Sequence, residues 1–227
     1  MIVKTPSICY ACDKPATTRE HAPPSSFFPE GKRDNLITVP SCPDHNNANS
    51  KDVEYARNVI TIMFGVNKIG EQHFSGKSLR SFDHSPALLH STFSDIRPVQ
   101  FKGGTIGKFT VDTPRIEAVM SACTCALHFR EIGVSKPNWG IILPNLYFSD
   151  DATMETATFR FQLLSMLNQI PFTVRDTSSP EVFEYAVADL PGERIDIPGG
   201  RVYCLRFYKG FFVYAIESPV DAAQSAK

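Results

Sequence analysis

From Ser50 onward the apolar residues fall into a helical period. Val53, Ala56, Val59/Ile60 and Met63/Phe64 recur at i, i+3 and i+4, with Asp52 and Glu54 in the first turn and Gly65 as the stop. A second helix is predicted to open at Pro114 and bury Ile116, Val119, Met120, Cys123 and Leu127, ending at Gly133. A third covers Glu155 to Ile170, with Phe159, Leu163, Leu164 and Leu167 on one face and Pro171 closing it. The last third changes to β-branched and aromatic runs over 182–187, 202–207 and 211–216. RFYKGFFVY reads as a hairpin turning at Lys209-Gly210, and Gly192, Pro198, Gly199 and Gly200 mark the loop before it.

Elsewhere the pattern is weaker. Residues 6–19 read as loop, and 20–29 carry three prolines, which forbid a regular helix. Leu36 to Val39 is a short β-prone run stopped by Pro40, with Ser41 placed to cap the turn that begins at Cys42. Trp139 to Phe148 reads as a strand interrupted by Pro144. Residues 65–112, rich in Gly, Ser and His, read as a linker with one or two short strands, and His73, His84 and His90 within it are expected to be exposed. The tail DAAQSAK is expected to be disordered. The fold class is therefore α+β, in three parts: an opening module over 1–66, a linker over 67–112, and an α+β domain with a mainly antiparallel sheet over 113–220.

Composition narrows the class. With 227 residues, 42% hydrophobic and 21% charged, the chain can bury a real core. No stretch approaches 18 uninterrupted apolar residues, so no membrane span is expected, and the opening residues lack an apolar signal region. The cytoplasm is the expected location. Six cysteines in irregular spacing suit metal binding and free thiols better than a disulfide scaffold. A net charge of −1 argues against a simple basic nucleic-acid coat without excluding a nuclease. Within residues 1–60, seven Lys/Arg face seven Asp/Glu, so nucleic-acid affinity would depend on arrangement. Lys32, Arg33, Lys51 and Arg57 are the candidate phosphate contacts.

The chemistry concentrates between Cys9 and Arg57. Cys9-x2-Cys12 and Cys42-x2-His45 stand 29 residues apart, and two such knuckles supply the four ligands of a closed structural zinc site. The alternative is a redox pair at Cys9 and Cys12, but no βαβ pattern surrounds it. Cys123 and Cys125 lie two apart on a helix and make poor joint ligands; Cys123 is expected in the core and His128 to be a satisfied structural histidine. The C-terminal aromatics Tyr203, Phe207, Phe211, Phe212 and Tyr214 could stack on bases, although core packing is the simpler account.

Threaded through the knuckles are Glu20-His21, Asn35 and Asn46, with a Pro-rich loop after His21 and Ser50-Lys51 after Asn46. This arrangement resembles the HNH, or ββα-metal, endonucleases in their zinc-braced branch, over about the first 57–60 residues, and SKDVEYARN resembles the continuation of some stand-alone bacterial members. The resemblance implies a zinc-braced, treble-clef-like ββα-metal module in an H-N-N variant, with three catalytic residues. His21 would be the general base, Asn35 would orient its ring, and Glu20 and Asn46 would be ligands of one Mg²⁺ or Mn²⁺. Asn47 and Asn49 compete with Asn46 for the metal role.

The expectation is a divalent-metal-dependent endonuclease acting on nucleic acid, DNA rather than RNA, in a prokaryotic anti-phage or foreign-DNA defence setting. The C-terminal domain would serve substrate, partner or homodimer contacts. The competing expectation is a catalytically inactive zinc module that binds nucleic acid or a protein.

Overall fold

A two-stranded hairpin near the N-terminus, two helices stacked beside it and a five-stranded sheet beyond them share one run of buried side chains. The computed structural model describes residues 7–47, 50–93, 95–101, 103–135, 138–146, 153–190 and 200–217. Gly192, Pro198, Gly199 and the tail DAAQSAK lie outside them, as does Phe148. The protein is mixed helix and sheet, and every paired strand is antiparallel.

Strands β1 (Thr18–His21) and β2 (Thr38–Ser41) pair with Glu20 opposite Val39 and His21 opposite Thr38. Pro40 sits inside β2 opposite Arg19 rather than stopping the strand. It lacks an N–H, but its carbonyl still accepts from the backbone of Tyr10, so an edge strand tolerates it. Between the strands, Ser25–Phe27 forms a single 3₁₀ turn, as three prolines in ten residues require. Helix α1 (Pro43–Asn47) follows β2 directly, and α2 (Ser50–Ile62) runs from it over the expected residues. Ser41 belongs to β2, and its hydroxyl donates to the Cys42 carbonyl rather than capping a helix.

The region read as a linker is largely helical. It contains α3 (Lys68–His73), one π-helical turn (Phe74–Ser78), α4 (Leu79–His84) and α5 (Pro86–Thr92). A hairpin of β3 (Arg97–Phe101) and β4 (Gly104–Lys108) follows. Asn67 caps α3 by accepting from the Ile69 and Gly70 amides, and its Nδ2 donates to the Glu181 carbonyl. Ser85 caps α5, with Pro86 in the first turn. Side-chain caps and tertiary contacts hold these short helices, which is why hydrophobic period alone missed them.

Helix α6 (Thr113–Ile132) is the centre of the molecule. It begins with Pro114 in its first turn and ends at Gly133, whose φ of 78° is the left-handed conformation that stops a helix. Its buried stripe of Ile116, Val119, Met120, Cys123 and Leu127 packs between α2 on one side and the large sheet on the other. That sheet is formed by β5 (Trp139–Ile142), β6 (Thr173–Arg175), β7 (Phe183–Asp189), β8 (Arg201–Phe207) and β9 (Phe211–Glu217), in the order β5-β9-β8-β7-β6. Helix α7 (Met154–Leu167) leaves Phe159, Phe161 and Met166 exposed. The hairpin between β8 and β9 turns through Tyr208 and Lys209, both at positive φ, and Gly210.

The core crosses from the opening module into the sheet. Phe27, beside the first hairpin, has its ring centroid 5.4 Å from that of Phe207 on β8, and Phe207 stands 5.1 Å from Phe183 on β7. The Tyr208 hydroxyl donates to the Phe27 carbonyl. Tyr203, Phe207, Phe211 and Tyr214 are buried, so packing accounts for them. His128 meets the Tyr203 hydroxyl at 3.3 Å and rests against Trp139, a satisfied structural histidine as expected. Among the described residues no helix is long and apolar enough to cross a membrane.

Candidate metal centre and the adjoining cleft

The first knuckle is a tight turn closed by backbone bonds. Cys9 N–H donates to the Lys14 carbonyl at 2.9 Å, and Ile8 pairs with Pro15 as an isolated bridge. Two further bonds, Tyr10 N–H to the Pro40 carbonyl and Thr17 N–H to the Ser41 carbonyl, fasten this turn to β2. The second knuckle is the junction of β2 with α1, so Cys42 leaves the strand and His45 returns one turn later. The Lys14–Asp44 ion pair, 2.7 Å and exposed, spans the two knuckles.

The four ligand atoms of Cys9, Cys12, Cys42 and His45 all lie within 4.8 Å of one another. His45 Nδ1 is 3.7 Å from Cys9 Sγ, 3.5 Å from Cys12 Sγ and 3.2 Å from Cys42 Sγ, and the Cys12 and Cys42 sulfurs are 4.0 Å apart. A tetrahedral zinc with ordinary bond lengths needs about 3.8 Å between sulfurs and about 3.6 Å between sulfur and nitrogen. The donor set fits zinc in both chemistry and size.

The thiols are tuned unequally. Burial pushes Cys9 up, but the Ala11 and Cys42 amides and the neighbouring thiols outweigh it and hold it below the usual range. The His45 backbone and ring lower Cys42, while Cys12 is raised, because burial and its thiol neighbours outweigh the Lys14 amide. Cys123 and Cys125 stand apart from this cluster and are buried on α6. Burial, helped by the Glu20 charge, drives the Cys123 thiol far up.

Tyr10 links the metal centre to the second set of residues. Its ring meets His45 edge-on at 6.3 Å, and its hydroxyl donates to Glu20 Oε2 at 3.2 Å. Burial raises the Glu20 carboxyl above the usual range, although bonds from Tyr10 and Ser41 and the His45 charge oppose the shift. Glu20 opens onto a cleft of about 370 Å³ whose walls include Asn46, Ser50, Glu54 and Arg57. On its other side it borders a pocket of about 20 Å³, shared with His21, Tyr10 and Cys123. That smaller space is about large enough for one water.

The sequence-predicted site residues separate in space. Glu20 and Asn46 face one cleft, with His21 exposed at the end of β1 beside it. Asn35 occupies an exposed turn at φ 54°, and among the described residues no hydrogen bond joins it to His21. Asn49 and the Asn47 side chain lie outside the described residues. Lys32 is paired with Glu181 at 2.6 Å, and Arg33 donates to the Phe28 carbonyl. Lys51 is exposed at the start of α2.

Arg57, by contrast, is only 3% exposed. Its guanidinium meets Asn58 Oδ1 at 2.8 Å and Glu54 Oε1 at 3.3 Å. It forms part of the cleft wall rather than a free surface contact. Ser50, Val53, Glu54 and Arg57 were legible as a set: i, i+3, i+4 and i+7 is one helix face. Glu54 is the member that motif spacing did not single out.

Searches against protein-family models, the curated proteins and the solved structures each return no match. The site's chemistry therefore has to carry the functional reading.

Proposed function

We propose that this protein is a zinc-braced, divalent-metal-dependent endonuclease of HNH type, hydrolysing nucleic-acid phosphodiester bonds, with DNA as the favoured substrate. One observation carries the reading. Beside a Cys₃His cluster of zinc dimensions, Glu20 and Asn46 line the same cleft, and His21, the next residue, lines the small pocket that Glu20 borders on its other side. The order β1, β2, α1, α2 around that cluster fits a treble-clef-like ββα-metal module.

Cys9, Cys12, Cys42 and His45 would hold the zinc, which braces a segment with few apolar residues of its own. Glu20 and Asn46 supply oxygen ligands suited to Mg²⁺ or Mn²⁺, with Glu54 across the cleft. Such an ion, when bound, offsets the charge that builds on the phosphate and the leaving 3′ oxygen. His21 takes a proton from a water as that water's oxygen bonds to phosphorus. The P–O3′ bond breaks opposite, giving a 5′-phosphate and a 3′-hydroxyl once the leaving oxygen is protonated. Asn35 would orient the His21 ring. A role in defence against foreign DNA suits a nuclease of this kind, and the sheet-bearing C-terminal part would carry partner or dimer contacts.

The test is plasmid cleavage by wild type and His21→Ala with EDTA, Mg²⁺ or Mn²⁺. Metal-dependent nicking absent from the variant is expected, and because His21 is exposed the variant should fold normally. Equal cleavage by both proteins would defeat the assignment. The second reading, a zinc module that binds without cutting, is favoured by the weak Asn46 amide ligand and by the absence, among the described residues, of a hydrogen bond between Asn35 and His21. It predicts zinc content and binding with no hydrolysis by wild type under any of these ions.

A further inference from the structure

Arg33 and Arg57 of the opening module and Lys77 and Arg80 beyond it lie close enough for their charges to interact, and together they form a basic cluster. Arg57 forms the cleft wall next to Glu20 and Asn46 and belongs to α2. The π-helical turn Phe74–Ser78 packs against α2 and carries Lys77. Its i→i+5 geometry brings Ser78 round to the face that holds His73, and both are buried while Lys77 stays half-exposed at the margin. Arg33 is tied to the same place through the backbone: its Nε donates to the Phe28 carbonyl, and the neighbouring Phe27 carbonyl accepts from Tyr208, whose oxygen is 2.8 Å from His73 Nδ1. Arg80, on α4 one turn beyond Lys77, is exposed.

Two features mark this cluster as built for an anion. Among the described residues no carboxylate pairs with Lys77, although the ammonium is half-buried. Burial and the charges of Arg57, Arg33 and Arg80 all lower its pKa, and Glu54 is the carboxylate that opposes them. A desolvated cation among like charges is stabilised by an incoming anion. The second feature is a set of buried donors without partners among the described residues: Asn58 Nδ2 on α2, and Ser78 Oγ and Ser26 Oγ on the two turns packed against α2. Ser26 also lines the cleft.

We infer that Arg57, Lys77 and Arg80, with Arg33 on the adjoining loop, form a phosphate subsite that holds a nucleic-acid backbone phosphate flanking the one placed over Glu20 and Asn46. The position of the flanking phosphate rests on the nuclease reading; the anion site itself does not. Free pyrophosphate shares the chemistry and is the other source of such an anion. The subsite assigns a substrate-binding role to residues 74–80, outside the zinc module.

Lys77 is the residue to change, because replacing Arg57 would strand Glu54 and disturb the fold. Fluorescence anisotropy would follow zinc-loaded wild type, Lys77→Gln and Lys77→Arg binding a fluorescein-labelled 20-base-pair DNA, the matching RNA duplex, and DNA with pyrophosphate as competitor, each over a salt series. Lys77→Gln should bind DNA about tenfold more weakly, with a log K against log salt slope smaller by about 0.9, and Lys77→Arg should restore both. A preference for RNA would change the nucleic acid but keep the subsite. Pyrophosphate displacing DNA from wild type but not from Lys77→Gln would place the anion at Lys77. Unchanged affinity and slope in Lys77→Gln, or no binding of any polyanion by wild type, overturns the subsite. Cleavage run in parallel separates the two claims: Lys77-dependent binding without hydrolysis defeats the nuclease and spares the subsite.

Discussion

His45 Nδ1 lies 3.2 Å from Cys42 Sγ, one helical turn apart on a junction where β2 ends and α1 begins. The contact depends on the abrupt change from strand to helix after Ser41, since an extended chain would carry position 45 about 10 Å from position 42. The same nitrogen reaches the first knuckle, so a single imidazole joins two segments that are distant in sequence.

Removing that junction should release the metal and loosen the opening module. Wild type is expected to carry one zinc per chain, and Cys42→Ser to lose it and to be destabilised by about 4 kcal/mol, on the order of 10 °C in Tm. Metal analysis with calorimetry checks this. A variant that kept its Tm after losing zinc would show that the core around Phe27, Phe28 and Val39 suffices without the metal.

Asn46 lines the cleft, and the only side-chain ligand it can give a divalent ion is a neutral amide oxygen, which is weak. Affinity at a nitrogen donor rises along the first-row ions that begin with Mn²⁺, so on the nuclease reading Asn46→His should lower the Mn²⁺ concentration for half-maximal cleavage by about tenfold. Mg²⁺, which prefers oxygen, should gain little. No gain for Mn²⁺ would show that Asn46 does not touch the ion. The readout is the metal titration of plasmid nicking.

Much of this architecture was legible in the residues, and the failures have physical causes. The knuckle spacing identified Cys9, Cys12, Cys42 and His45 because ligand geometry is local and specific. Helix α6 was legible from Pro114, the apolar stripe and Gly133, and the β8–β9 hairpin from its aromatic alternation. Periodicity could not find α3 to α5, since their helicity depends on Asn67 reaching Glu181 and Ser85 capping its own turn. His73, expected at the surface, is 5% exposed because the unforeseen π turn and Tyr208 enclose it. Arg57 was legible as a cation near the site but not as a buried one, because its partners Glu54 and Asn58 compensate for a burial that composition argues against.

The β8–β9 turn is pressed against the end of α2. A methyl added at Gly210 would lie 2.1 Å from the Gly65 carbonyl oxygen and 2.5 Å from Val66 N, both backbone atoms that cannot rotate away. Next to this contact, Asn67 N–H donates to the Tyr208 carbonyl at 2.9 Å. Gly210→Ala should therefore separate the opening module from the sheet and cost at least about 3 kcal/mol. Urea unfolding would measure it, and a loss below about 1 kcal/mol would mean that the two parts are not held together at this turn.

His73 gives the protein an acid-sensitive point. The Tyr208 hydroxyl donates to the Phe27 carbonyl, so Nδ1 of a neutral His73 must donate to the Tyr208 oxygen, leaving Nε2 as a bare lone pair. Burial first, then the charges of Arg57, Lys77 and Arg33, push its pKa down to about 4, against an ordinary value near 6.5. Between those two values the unfolded chain carries the proton and the folded chain does not, so stability falls as pH drops through this window and is untouched above it. Wild type should lose about 2 kcal/mol more than His73→Phe between pH 7 and pH 4.5. The comparison reads the difference in slope, because acid also weakens the thiolate and imidazole metal centre equally in both proteins. Parallel urea titrations at the two pH values decide it: parallel losses would mean that His73 takes its proton without leaving its site.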